Sequence, residues 1–513
     1  MRLINTSRVL RPVPLTVLLL VALLLPLGPA LAGGRSQAGG VPPTDPETRP
    51  NVVLITTDDQ TLADLAHMPL TRRLIGGEGA TFKQMVSPHP LCCPARAEIL
   101  TGQFAQNNGV KTNKGRYGGY PALRDPDDVL PRWLLDAGYE TAMIGKFLNR
   151  WHPEEVGTPP GWTDFHAFPG GGEGYYDFEM YANGQTTSYS GDRVYSSSYV
   201  TDTTVARIEQ WSSPATDRAV PAPFFIWSSY YAPHGECGEA TCKVPPVPEE
   251  KFAGALSGVE SPALTKPSYD GRLRRANRVV AGREVVDRDF SQHFFTERIR
   301  SLQSVDEGVG RIVAALSEAG VLDDTLLLFT SDNGYLLGEH RYVGKVVAYE
   351  ESLRVPLLVR GPGIPEGSVR RQLATTVDLA PTILDAAGAE PGRTVDGRSL
   401  LPLARTGATA GPTTDTTLIQ AGIARESRGS SWMYRGVRTK RWTYTRWPSP
   451  GRGPEFAELF DRRSDPHQQH NLAGRRRFSA VEKELSRRAR RLQRCAGVDQ
   501  CFRDFGRVPQ VRR

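Results

Sequence analysis

Two carboxylates stand side by side at Asp58 and Asp59, directly after the apolar run Asn51–Thr57. A second acid–amide pair, Asp332-Asn333, follows another apolar run, Thr325–Thr330. Taken singly, such residues cap strand ends. Taken together, oxygen donors from two strand ends suit a hard divalent cation such as calcium or magnesium, rather than zinc or copper. A cysteine pair, Cys92-Cys93, stands just ahead of Pro94, and Arg96 comes one helical turn after Cys92. Proline is at home in the first turn of a helix, where its missing N–H costs nothing. Cys92 is therefore expected at a helix N-terminus, where unpaired N–H groups and the helix dipole draw anions. The plainer alternative for Cys92 and Cys93 is a pair of structural thiols or half of a disulfide.

The run Cys92-Cys93-Pro94-Ala95-Arg96, continued by Leu100-Thr101-Gly102, resembles the Cys-x-Pro-x-Arg…Leu-Thr-Gly signature of the type I sulfatases, in the alkaline phosphatase superfamily. The resemblance implies that Cys92 is oxidised to formylglycine by a formylglycine-generating enzyme, and that the hydrated aldehyde is the nucleophile. It implies a calcium ion, or magnesium in its place, held by Asp58, Asp59, Asp332, Asn333 and position 92. Further segments match in order from Asn51 to Leu472. Gly145-Lys146-Phe147-Leu148-Asn149 resembles the subgroup reading Gly-Lys-Tyr-Leu-Asn, which includes N-acetylglucosamine-6-sulfatases, and assigns Lys146 to the sulfate group. Pro233-His234 places His234 at the leaving-group oxygen, as proton donor. Gly344-Lys345, then Tyr349-Glu350-Glu351 and Arg354-Val355-Pro356, make Lys345 the second sulfate-binding lysine, with His340 a buttress nearby. In the mechanism so implied, Arg96, Lys146 and Lys345 neutralise the sulfate oxygens and Asp332 is the candidate base. Ala95 replaces the usual serine, Gln103 replaces a common arginine, and Leu148 stands where many members carry histidine. The first two bear on how Cys92 is converted.

The elements that must position these groups follow from the pattern of the chain. Apolar runs at Asn51–Thr57, Glu140–Ile144, Pro223–Ser229, Thr325–Thr330 and Val355–Val359 read as buried strands. Amphipathic stretches at Val129–Ala137, Tyr199–Trp211, Phe294–Ala319 and Thr376–Ala387 read as helices between them. This alternation predicts an α/β fold: a large mixed, mostly parallel sheet sandwiched by helices, with sites at the C-terminal strand ends. The irregular stretches Pro153–Asp192 and Pro245–Arg283 are expected to wall a substrate cleft. Past the Gly/Thr/Pro-rich stretch Thr406–Asp415, strands at Ser431–Arg438, Arg441–Trp447 and Ala457–Asp461 and a helix over Phe478–Arg494 predict a smaller α+β subdomain. The expected division is 1–32 signal peptide, 33–49 disordered lead-in, 50–404 catalytic domain and 405–513 C-terminal subdomain.

Arg2, Arg8 and Arg11, the apolar run Val13–Leu27 and Ala30-Leu31-Ala32 read as a secretory signal with its cleavage site. The expected product is secreted and extracellular, without stable membrane insertion. Of the 6 cysteines, Cys237/Cys242 and Cys495/Cys501 are spaced for small disulfide loops, and a zinc site from the same residues stays an alternative. The net charge of +7 comes mostly from arginines near the C-terminus, read as a solvated helix face, with attraction to polyanionic glycans the lesser alternative, and not as a nucleic-acid arm. The function this adds up to is a secreted sulfuric ester hydrolase for carbohydrate or aryl sulfates, leaning to N-acetylglucosamine-6-sulfate. The rivals are a phosphonate or phosphodiester hydrolase of the same fold and an unmodified, non-catalytic glycan-binding homologue.

Overall fold

The computed structural model describes residues 49–511 except 192, 214–220, 238–242, 272, 274, 409–413, 428–429 and 449–454. The signal-peptide and lead-in expectations, Cys242 and part of the Thr406–Asp415 stretch therefore lie outside the described residues. Cys237 is itself disulfide-bonded.

Among the described residues, sixteen strands run in chain order as β1 (Asn51–Thr57), β2 (Ala80–Val86), β3 (Glu140–Gly145), β4 (Asp164–Ala167), β5 (Phe178–Ala182), β6 (Gln185–Tyr189), β7 (Phe224–Ser229), β8 (Thr325–Ser331), β9 (Leu336–Leu337), β10 (Val343–Gly344), β11 (Leu357–Arg360), β12 (Ser368–Thr375), β13 (Thr416–Ser427), β14 (Ser430–Thr439), β15 (Trp442–Trp447) and β16 (Phe456–Asp461). Ten of them form one sheet in the order β12-β2-β11-β8-β1-β7-β3-β4-β5-β6. The block β8-β1-β7-β3-β4 is parallel throughout. β1 lies at its middle, in register with β7 through Val52–Phe225 and with β8 through Val52–Leu326.

Both faces of that block are covered, so its strands are apolar on both sides. Val52 and Leu54 point into a core with Cys93, Ala97, Trp133 and Ile383, from the helices Cys92–Thr101, Leu130–Asp136 and Leu379–Ala387. Val53 and Ile55 point the other way, against Val200, Ile208, Leu302 and Val309 of the helices Ser196–Ser212 and Arg288–Glu318. The second of these starts six residues before the apolar pattern at Phe294 does. Asp287 caps it, its side chain accepting the Phe290 N–H at 2.7 Å.

β11, read from its apolar run like its parallel neighbours, lies antiparallel between β8 and β2. A run of Val and Leu records burial on two faces and carries no information on direction. Two antiparallel steps restore the sense, so β2 points the same way as β8. The segment after β2, which leads to Cys92, thus emerges at the same edge as the segments after β1, β8, β7 and β3.

A separate antiparallel sheet, β13-β14-β15-β16, forms in the C-terminal region, where the helix Ser479–Leu492 packs on it. Cys495 and Cys501 form the expected disulfide. Among the described residues, no helix is long and apolar enough to cross a membrane.

Candidate active site

Every segment singled out for chemistry reaches the C-terminal edge of the parallel block. Asp58 and Asp59 follow β1, Asp332 and Asn333 follow β8, Lys146 follows β3, and His234 lies five residues past β7. Cys92 opens its helix behind Leu91, which is extended, as an N-cap residue must be. Both lysines stand directly after a glycine with positive φ, Gly145 at 106° and Gly344 at 136°. At Gly145 a Cβ would also sit 1.9 Å from the Ser229 carbonyl oxygen, so only glycine lets β3 turn into the site here.

Asp58 is the hub and is fully buried. The Lys146 ammonium lies 2.6 Å from its Oδ2, Arg96 Nη2 3.4 Å from the same oxygen, and Lys345 Nζ 3.7 Å from Oδ1. Burial pushes this carboxyl up, but Lys146, His234, Lys345 and Arg96 together hold it well below the usual carboxylate range. Lys345 also pairs with Asp59 and lies 2.7 Å from Cys92 Sγ. Burial disfavours the charge on Lys345, yet Asp59 and its other anionic neighbours raise it well above an ordinary lysine.

Cys92 Sγ lies 3.5 Å from Asp58 Oδ1. Burial, then the Asp58 carboxylate, push its thiol up to about 12 against the two lysines. Cysteine nucleophiles need the opposite, a depressed pKa that supplies thiolate. The unmodified side chain is therefore a protonated, poorly reactive thiol in this setting.

His234 Nδ1 lies 2.6 Å from the Gly235 carbonyl oxygen, which only an Nδ1–H can satisfy, so Nε2 turns its lone pair toward Asp58 and Asp59. Burial, then Lys146 and Lys345, lower the imidazole to about 4. The imidazole is therefore neutral in this environment.

The structure adds the contacts of two further residues. Arg96, expected to meet the sulfate oxygens, is fully buried and fully engaged. It donates from Nε to Asp332 Oδ2 at 2.9 Å and from Nη1 to the Lys146 carbonyl and Ser229 Oγ, both at 2.6 Å. It braces the site from behind. Asp332, the expected base, is held by Arg96 and by the N–H groups of Asp59 and Asn333, while Asp58 is the carboxylate beside Sγ. Burial and the Asp58 charge push Asp332 up to about 6.

The oxygen donors in the cluster suit a hard cation: Asp58 and Asp59 bring carboxylate oxygens within 4.8 Å of each other, of Cys92 Sγ and of a His234 ring nitrogen. Asn333 donates from Nδ2 to Asp59 Oδ1 at 2.5 Å, while its Oδ1 is buried with no partner among the described residues. A buried carbonyl oxygen left unpaired is costly, and an oxygen-seeking ion beside it would satisfy it.

The sequence did not single out several supporting groups. Ser229 links Arg96 to the Lys146 carbonyl. Asn113 accepts the Cys93 N–H at 3.0 Å. Arg298, buried in the long helix, holds the Asp59 carbonyl at 2.6 Å and Asp64 at 2.7 Å. These are polar residues inside otherwise ordinary strand, loop and helix patterns, and only the approach of distant backbone gives them a role. His340 stacks on Tyr349 at 3.9 Å and buttresses the loop, as expected.

Cys92, Lys146 and His234 line a cleft of about 550 Å³. Its outer wall includes Gly170, Glu173 and Asp177, from the irregular stretch after Pro153. The second expected wall, Pro245–Arg283, is not part of it. Ala263 and Tyr269 instead pack on Phe294, Phe295 and Ile299 of the long helix, because their apolar side chains complete its exposed stripe.

A mostly parallel α/β sheet with a cation-ready carboxylate cluster beside a helix N-terminus defines a class of anion-handling proteins. The family model for sulfatases matches residues 50–389, and the model for the C-terminal region of N-sulphoglucosamine sulphohydrolase matches 338–495. The chain belongs to the sulfatase family. It is 32% identical over 375 residues to human N-acetylglucosamine-6-sulfatase, covering 70% of this chain and 64% of that protein. It is 33% identical over 392 residues to the Drosophila melanogaster extracellular sulfatase SULF-1 homolog, covering 74% of this chain and 34% of that one. The chain thus spans about a third to two thirds of these relatives' lengths. A solved structure described as in complex with its substrate D-glucosamine-2-N,6-O-disulfate shares the fold, with a TM-score of 0.66 at 24% identity, over 87% of this chain and 97% of that one.

Proposed function

We propose that this chain is a secreted sulfuric ester hydrolase that removes sulfate from a sulfated glycan, with 6-sulfated N-acetylglucosamine the favoured unit and aryl sulfates the second class. The observation that carries this reading is the meeting of Lys146, Lys345 and His234 around position 92, with Cys92, Lys146 and His234 lining an open cleft. The Cys92-Cys93-Pro94-Ala95-Arg96 motif within the sulfatase family match supports conversion of Cys92 to formylglycine by a formylglycine-generating enzyme, and its relatives' names support the glycan.

Asp58, Asp59, Asp332, Asn333 and position 92 would hold the cation, calcium or magnesium. When bound, it would supply charge stabilisation for the sulfate oxygens, and the converted side chain would supply a hydroxyl nucleophile in place of the thiol, with a second hydroxyl whose deprotonation expels sulfate and restores the aldehyde. The chain's own residues do the rest. Lys146 and Lys345 bind the sulfate oxygens and neutralise charge as it develops. Asp332, whose carboxyl burial and the Asp58 charge raise to about 6, is the candidate base for the hydroxyl proton. His234 gains its proton once the anionic ester offsets the lysines, and passes it from Nε2 to the departing alkoxide. Arg96 and Ser229 keep Lys146 and the acids in register.

The test is a panel of esters assayed on the mature, cation-loaded protein: N-acetylglucosamine-6-sulfate, an aryl sulfate, a phosphate monoester and a phosphonate monoester. The reading expects turnover of the sulfates, with the sugar sulfate preferred over the aryl sulfate. A preference for the phosphonate or phosphate ester would overturn it.

A further inference from the structure

We propose a second oxyanion-binding site, remote from the catalytic cluster, where the edge of the large sheet meets the C-terminal sheet and the chain's tail. A cavity of about 410 Å³ lies there, sharing no lining residue with the catalytic cleft. Its lining includes Arg371 from β12, Arg438 at the end of β14, Lys440 just past it, and Arg507 from the tail.

Two independent observations mark it as built for an anion. Arg438 is fully buried, its Nε and Nη2 held by Glu350 at 2.8 and 2.7 Å, but its Nη1 is buried with no partner among the described residues. A buried guanidinium N–H left unsatisfied calls for an acceptor. Around it, Arg371, Lys440 and Arg507 are exposed and take part in no ion pair among the described residues. Two acids stand at the rim: Asp415 is paired with Arg488 at 3.2 Å, and Asp504, which accepts the Gly506 N–H at 2.7 Å, is one exposed negative charge against three exposed cations. One fixed, buried arginine donor surrounded by unpaired cations is the donor set that holds a tetrahedral oxyanion.

The ligand is a sulfate-type oxyanion, either free inorganic sulfate or a sulfate group carried on a glycan. The site rests on its own geometry and holds whether or not position 92 is converted. In the glycan case, a chain held there would stay near the protein between catalytic events, by effective concentration.

The test compares the full-length mature protein with a triple variant, Arg371→Ala/Lys440→Ala/Arg507→Ala. A control variant, Arg475→Ala/Arg476→Ala/Arg477→Ala, removes the same charge from exposed residues elsewhere. Two probes are titrated in low-chloride buffer: sodium sulfate, read as the rise in Tm, and a fluorescent sulfated oligosaccharide, read by anisotropy. The triple variant should bind at least one probe about tenfold more weakly than both wild type and control, with turnover of a small aryl sulfate unchanged. A loss with both probes assigns free sulfate, and a loss with the oligosaccharide alone assigns the glycan-borne group. Equal affinities across all three proteins, or equal losses in triple and control, would overturn the site.

Discussion

At the residue scale, the proposed chemistry depends on groups whose resting states are set by burial and by each other. His234 is held neutral, near 4, and in the proposed role acts as an acid only against a bound anion. Its contribution should therefore depend on how much help the leaving oxygen needs. His234→Ala is expected to lower kcat/KM for an alkyl sulfate such as a sugar ester by about 10²–10⁴. For a nitrophenyl sulfate, whose leaving group departs unaided, the loss should be much smaller. Equal losses on both substrates would remove His234 from the acid role. The residues the proposed mechanism uses were legible as candidates because they sit in short motifs with fixed spacing: Cys92 before Pro94, Lys146 and Lys345 after glycine, His234 after proline. Arg96 was legible as a member of the site but not in its contacts. Nothing in Cys-x-Pro-x-Arg tells that its guanidinium turns inward to Asp332 and Ser229.

At the element scale, the short helix Glu350–Leu353 ties the large sheet to the C-terminal one. Glu350 is met by Arg438 at 2.7 Å from β14 and by Arg462 at 3.0 Å, just past β16. Burial pushes this carboxyl up, but Arg438 and Arg462 outweigh it and hold it at about 2. The folded pKa lies below the unfolded one, so ionised Glu350 stabilises the fold above pH 4.5 and loses that contribution as pH falls toward 2. The linkage amounts to about 3 kcal/mol. Glu350→Gln should lower Tm at pH 7, by leaving Arg438 buried without its counter-charge. It should also flatten the fall in Tm between pH 5 and 3. Parallel Tm–pH curves for wild type and variant would contradict this role. The sequence carried Glu350 only as part of a motif beside Lys345. Its partners lie 88 and 112 positions away, a distance no local pattern spans. The antiparallel sense of β11 and the added strands β2 and β12 were hidden for the same reason, since direction and pairing belong to the sheet and not to the strand.

At the scale of the whole molecule, the composition break near Thr406–Asp415 coincides with the change from one sheet to the other, but the core does not stop there. Val86 and Leu373 of the large sheet pack with Ile419, Tyr434 and Trp447 of the small one. The alternation of strands and helices was enough to read the sandwich and its site-bearing edge, whereas this shared core involves side chains that look alike in either sheet. A cation held by Asp58, Asp59, Asp332 and Asn333 would bind only the folded chain and cross-link the loops after β1 and β8. Chelation should therefore lower both turnover and Tm, and added calcium should restore both. The stabilisation would be about 3 kcal/mol at a free cation concentration a hundredfold above Kd. Unchanged Tm and activity after exhaustive chelation would exclude the cation from this site.

The account stands or falls most directly on position 92, and peptide mass spectrometry of the mature, exported protein reads it. The tryptic peptide Gln84–Arg96 should have lost the sulfur of Cys92 and should carry an aldehyde that a hydroxylamine probe captures, while Cys93 keeps its thiol. An intact thiol at Cys92 in protein that turns over sulfate esters would contradict the proposed nucleophile. An intact thiol in protein without turnover would leave a sulfatase fold that binds its glycan and does not cleave it.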